Sequence, residues 1–178
     1  MGTFTKRLGQ MATRSLETES ASIMKTCAAN KVPSSLARQL DRTLREGHDM
    51  KVFGLGTAAT MGDLQRYRRF TTSMHAVYSA MEEELDRADG PAASPIVHAL
   101  WSQHGACLRR AELLALDLAD IGGPAVIQSV ATKEYVAAIR TAGADDRERG
   151  GARMLGHLYC RYFADLFGGS LLAMPTRV

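Results

Sequence analysis

At 178 residues the chain has the length of one domain with a substantial buried core. A hydrophobic content of 46% against 23% charged excludes a disordered polymer, and a formal net charge of +3 is too small to argue for a nucleic-acid partner. Cys27, Cys107 and Cys160 are odd in number and widely spaced, which points to a reducing compartment rather than a disulfide framework, and no apolar run reaches the ~18 residues of a membrane span.

The first sixteen residues carry Lys6, Arg7 and Arg14, several Ser and Thr, and no acid. That composition fits a mitochondrial or plastid transit segment and equally an ordinary cytoplasmic start. Residues 1–30 are therefore read as an N-terminal extension, ahead of a helical domain over 31–178. Gly2 does not open a myristoylation site, because Lys6 stands where that pattern needs Ser or Thr.

Pro33-Ser34-Ser35 precedes Leu36, Leu40 and Leu44, a spacing that predicts a serine-capped helix closed at Gly47. Lys51 to Gly62, rich in Gly, Thr and Ala, reads as a loop or a broken helix. Asp63 caps the longest periodic segment, whose one apolar face holds Leu64, Tyr67, Phe70, Met74, Val77, Tyr78, Met81 and Leu85. Asp89-Gly90-Pro91 ends it. Ser94-Pro95 opens a helix through Ile96 and Leu100 that the pattern carries on to Leu118. Gly122-Gly123-Pro124 breaks the chain again, and Val126, Ile127, Val130, Val136 and Ile139 predict a further helix. Gly143 to Gly151 reads as a charged connector. The last helix presents Leu155, Leu158, Tyr159, Tyr162, Phe163 and Leu166 and runs into Gly168-Gly169. No strand-like alternation and no internal repeat occurs, so the fold class is all-α, a bundle of five or six helices.

The two adjacent glycines need a reason, since each costs roughly 1 kcal/mol relative to alanine inside a helix. They end the helix, kink it, or clear side chains so that something flat can lie against the backbone. Asp165 precedes them by one turn, and His157, Arg161 and Asp165 line one edge of the helix at i, i+4 and i+8. The acidic run Glu82-Glu83-Glu84 predicts a solvated face for at least two of its members. Glu82 is the member closest to the apolar stripe and a candidate buried anchor. His48, just past Gly47, is either a charge partner of the helix end or, as a neutral imidazole, an axial ligand to a haem iron. His75, His98 and His104 lack the Glu-x-x-His spacing of helical di-iron sites. A nucleophile elbow, a phosphate-binding glycine loop and clustered metal ligands are also missing from the sequence.

With those residues laid out, Val77-Tyr-Ser-Ala-Met-Glu-Glu-Glu-Leu85 resembles the long-helix signature of the haem oxygenases. Tyr159-Cys-Arg-Tyr-Phe-Ala-Asp-Leu-Phe-Gly-Gly-Ser170 resembles their distal-helix motif, Y-x-R-Y-L-G-D-L-S-G-G-Q. Leu44-Arg-Glu-Gly47 followed by His48 is similar to the segment that leads to the family's proximal histidine. The resemblance covers roughly residues 36 to 172 and implies the haem oxygenase-like helical fold.

Carried over residue by residue, the resemblance makes His48 the axial ligand and Asp165 the carboxylate that orders distal water. Gly168 and Gly169 become the backbone beside the haem face, Tyr159 a neighbour of a propionate, and Tyr78 and Arg161 members of the distal polar network. The implied reaction takes haem, dioxygen and electrons from a reductase or ferredoxin to biliverdin, iron and carbon monoxide, with haem as both substrate and cofactor. Two residues depart from the motif. Ala164 stands where the family has a glycine, and Phe167 replaces the motif serine. Both favour an alternative, a non-catalytic member of the fold acting as a subunit or interaction module. The family normally continues with further helices beyond this motif, so the resemblance also implies apolar surface that a protein partner would cover.

Overall fold

The computed structural model describes residues 32, 34–47, 56, 59–60, 62–88 and 94–163. Every regular element among them is helical. The chain forms two compact units, one holding α1 and the other running from Asp63 to Tyr162.

Helix α1 spans Leu36–Gly47. It starts where Ser35 Oγ accepts the Arg38 N–H at 3.3 Å, the serine cap its sequence predicts. Arg42 and Glu46 pair at 2.8 Å along its exposed side.

The spine of the second unit is α2, Leu64–Arg87. Asp63 caps it by accepting the Arg66 N–H at 2.8 Å. The predicted apolar stripe becomes core in its C-terminal half, where Val77, Tyr78, Met81 and Leu85 are buried. Around α2 stand α3 (Pro95–Leu108), α4 (Ala111–Ile121), α5 (Val130–Arg149) and the single-turn α6 (Arg153–Leu158), followed by a π-helical turn at Tyr159–Phe163. Val97, Ile139 and Met154 close the core with the α2 residues, and burying each such side chain contributes about 1.5–3 kcal/mol. No helix of the described residues is long and apolar enough to cross a membrane.

Several helix boundaries differ from the sequence reading, and the largest differences have a long-range cause. The helix opened by Ser94-Pro95 stops at Leu108 instead of continuing to Leu118. At the break Glu82 reaches across from α2 and accepts the N–H groups of Arg110 and Ala111 at 2.6 and 3.0 Å. A carboxylate from another helix thus caps α4, satisfying donors that a continuous helix would have used itself. The Arg109 side chain secures the same corner. It binds Asp86 at 2.5 and 3.1 Å and lies 5.2 Å over the Trp101 ring, whose Nε1–H also donates to Asp86 at 2.8 Å.

Helix α5 starts at Val130, after the Ser129 cap, which leaves Val126 and Ile127 outside it and Ile127 89% exposed. It then runs straight through Gly143, where a charged connector was expected, and stops at Gly150 in the left-handed conformation with φ 67°. Gly143 is a point of close approach: a Cβ there would lie 2.8 Å from Glu84 Cβ and 2.9 Å from Glu84 Cδ. Glu84 fills that space at 1% exposure, held by Arg87 and by Arg147 of α5.

The acidic run accordingly has two buried members, Glu82 and Glu84, where the sequence predicted at least two solvated ones. Glu82 is the anchor the sequence reading proposed. Glu83 alone faces outward and pairs with Arg140 at 3.0 Å.

The final helix is likewise not one continuous stretch. Asp146, buried on α5, accepts the N–H groups of Arg153 and Met154, both at 2.8 Å, and so starts α6. After Leu158 the backbone widens into the π turn, a geometry that is rare and recurs at functional sites. Asp89-Gly90-Pro91 and most of Lys51 to Gly62 lie outside the described residues.

Candidate functional site

The distal motif begins on this π turn, and three elements meet there. Helix α2 brings Tyr78, 1% exposed, whose hydroxyl donates to the Arg161 carbonyl at 3.5 Å. Its ring meets Tyr162 edge to face at 5.2 Å between centroids, an arrangement worth about 0.5–1.5 kcal/mol beyond burial. Helix α5 brings Tyr135, and the α6 segment brings His157 and Arg161.

Arg161 Nε donates to the Tyr135 hydroxyl oxygen at 3.4 Å, with the guanidinium carbon 4.8 Å above the same ring. On its other side the Tyr135 hydroxyl lies 3.3 Å from His157 Nδ1, the two rings tilted by 55° at 5.6 Å. Burial pushes the His157 imidazole below its usual value, and the nearby Arg161 cation pushes it further. Asp146 pulls weakly the other way. A half-buried imidazole beside a permanent cation is therefore neutral near pH 7.

The structure thus joins two of the sequence-predicted site residues, Tyr78 and Arg161. Tyr159 is half-buried on the same π turn. His157 and Arg161 share an edge, as their i, i+4 spacing predicts, because both reach Tyr135. His48, Asp165, Gly168 and Gly169, and with them Ala164 and Phe167, lie outside the described residues. Tyr135 is the member the sequence did not reveal. It falls four residues before buried Ile139 on the face of α5 that meets the core, so it reads as one more core aromatic. Only the hydroxyl marked it out, and its partners are 22 and 26 residues away.

Chemically the cluster offers one fixed cation, two phenolic hydroxyls and one neutral imidazole acceptor. It can hold and orient oxygen-bearing groups and order water by hydrogen bonding. Among the described residues no group of three His, Cys, Asp or Glu side chains gathers to hold a metal ion. The donor set suits an anionic or oxygen-bearing group.

The family model described as Heme oxygenase matches residues 35–177 of this chain. A heme oxygenase from Porphyra purpurea is 33% identical over 152 residues, covering 81% of this chain and 60% of that protein. One from Takifugu rubripes is 29% identical over 156 residues, covering 83% and 53% respectively. Heme oxygenase 1 of a Nostoc strain is 31% identical over 147 residues, covering 78% and 57%. The chain spans between half and three-fifths of the length of these relatives. No solved structure matches it significantly.

Proposed function

This chain belongs to the heme oxygenase family, and on that premise we propose that it binds haem and cleaves it oxidatively to biliverdin, iron and carbon monoxide. The observation that carries the reading is the gathering of Tyr78, Tyr135 and Arg161 around the start of the distal motif, inside the stretch the family model matches. When bound, haem supplies the iron that activates dioxygen and the ring that is oxidised.

The chain's own residues have separable tasks in this reading. His48 would hold the haem iron through a neutral imidazole. Gly168 and Gly169 would leave room for a flat group, and Tyr159 would help to hold a propionate. Asp165 holds ordered water by accepting its hydrogen bonds. Arg161 supplies a guanidinium oriented by the Tyr135 hydroxyl and ring. Tyr78 fixes the backbone at Arg161 through its carbonyl. Electrons come from a partner protein of the reductase or ferredoxin class.

A second reading, a non-catalytic member of the fold acting as a subunit or interaction module, is favoured by Ala164 and Phe167 in the motif. One experiment separates the two. Hemin is titrated into the purified chain and into His48→Ala, and the optical spectrum is followed. A saturable one-to-one complex whose Soret band changes in the variant supports a histidine-ligated site. Adding reductant and oxygen then yields biliverdin under the first reading and leaves the haem intact under the second. Absence of saturable hemin binding would overturn the first reading and favour the second.

A further inference from the structure

We propose that neutral His157 is the positioning residue of the Arg161–Tyr135 cluster: it takes the Tyr135 hydroxyl proton at Nδ1, turns the Tyr135 lone pairs toward Arg161, and so fixes the guanidinium. The argument is one of donors and acceptors. Arg161 Nε carries a hydrogen and no lone pair, so at 3.4 Å it donates to the Tyr135 oxygen. That hydroxyl has a single proton of its own, and at 3.3 Å His157 Nδ1 receives it. The imidazole must then be the tautomer with hydrogen on Nε2.

Were Nδ1 protonated, the Tyr135 oxygen would face two donors and its own proton would have to leave the cluster. A charged His157 would also sit one helical turn from the Arg161 cation. Among the described residues, the groups that bear on His157 are Tyr135 and Asp146 from α5 and Arg161 from its own segment, while Tyr78 of α2 touches Arg161 through the carbonyl. Of these Asp146 alone favours a proton on His157, and its carboxylate is already committed to the N–H groups of Arg153 and Met154.

The cluster is therefore ordered when His157 is neutral and loosens when it is protonated. Because the folded imidazole sits below its ordinary value, the order is complete above about pH 6.5. It is lost as pH falls through the lowered folded value. The assignment's consequence for catalysis rests on the haem reading above, while its hydrogen-bond pattern belongs to the protein alone.

The test uses the full chain, labelled with nitrogen-15, without haem. Long-range proton–nitrogen spectra report the His157 tautomer, and exchange of the Arg161 Nε hydrogen reports the guanidinium. The expected result at pH 7.5 is a neutral Nε2–H imidazole with an acceptor Nδ1. Exchange at Arg161 should be roughly fivefold faster in His157→Phe, which keeps a ring and removes the acceptor. His157→Asn, whose amide oxygen stands near the Nδ1 position, should restore the slow exchange. An Nδ1–H tautomer, a cationic ring at pH 7.5, or unchanged exchange in His157→Phe would each overturn the assignment. Should that variant fail to fold, the wild-type titration decides: exchange at Arg161, taken relative to a solvent-exposed arginine in the same spectra, must accelerate as His157 protonates. Hemin added to the same samples keeps two failures apart. Loss of saturable binding overturns the haem reading and leaves the hydrogen-bond pattern standing, and a wrong tautomer does the reverse.

Discussion

Replacing Gly143 by alanine puts one methyl group into the contact between α2 and α5, and the structure sets the size of the effect. The new Cβ would lie 2.8 Å from Glu84 Cβ. That atom belongs to the root of a buried side chain and cannot swing away. Overpacking of this kind costs about 1–3 kcal/mol. Pushing Glu84 off Arg147 would add to it, since a broken buried ion pair costs about 3–5 kcal/mol. Against this, alanine is favoured over glycine inside a helix by about 1 kcal/mol. The net expectation is a loss of about 2 kcal/mol or more, which lowers Tm by about 4–8 °C in a chain of this size.

Gly156→Ala provides the contrast. Among the described residues nothing lies within 4 Å of the Cβ it would gain, so the helix preference acts alone and Tm should rise by about 2–4 °C. Thermal melts followed by circular dichroism measure both. A Gly143→Ala protein that melts at or above the wild type would refute the claim that the helices meet through this gap. Equal shifts in the two variants would do so as well.

Asp146→Ala should cost about 2–4 kcal/mol, because the N–H groups of Arg153 and Met154 lose their acceptor where α6 begins. Hydrogen exchange at those two amides should accelerate, with Asp146→Asn intermediate; full protection in the alanine variant would contradict the cap. Asp86 supplies a pH test. Burial pushes its carboxyl up, but the hydrogen bonds from Arg109 and Trp101 and the charge of Arg109 together hold it below the usual range. Its contribution to stability is thus complete above the unfolded value, about 3.9, and fades as pH falls through the lower folded value. The Tm difference between the wild type and Asp86→Asn should therefore shrink between about pH 5 and pH 2, and a difference constant with pH would count against the pairing.

Much of this protein is legible without coordinates. The start of α2 at Asp63 and the extent of α1 follow from caps and a 3.6-residue apolar period. The start of α3 follows from Pro95 at its first position, Ser94 making no side-chain cap bond; all of these are local properties. So is the shared edge of His157 and Arg161, because residues four apart lie close to one face of a helix. The family could be recognised because its motifs are contiguous in the chain.

What only the tertiary structure decided involves partners far apart in sequence. The break after Leu108 depends on Glu82, 28 and 29 residues from the N–H groups it binds. The passage of α5 through Gly143 depends on Glu84 and Arg147, paired across 63 residues. A carboxylate in the sequence looks destined for water, and it turns inward here because donors from another helix repay its desolvation. Tyr135 escaped notice for the same reason. Its period marks it as core, and its hydroxyl acquires a role only once α6 and the π turn bring His157 and Arg161 to either side of it.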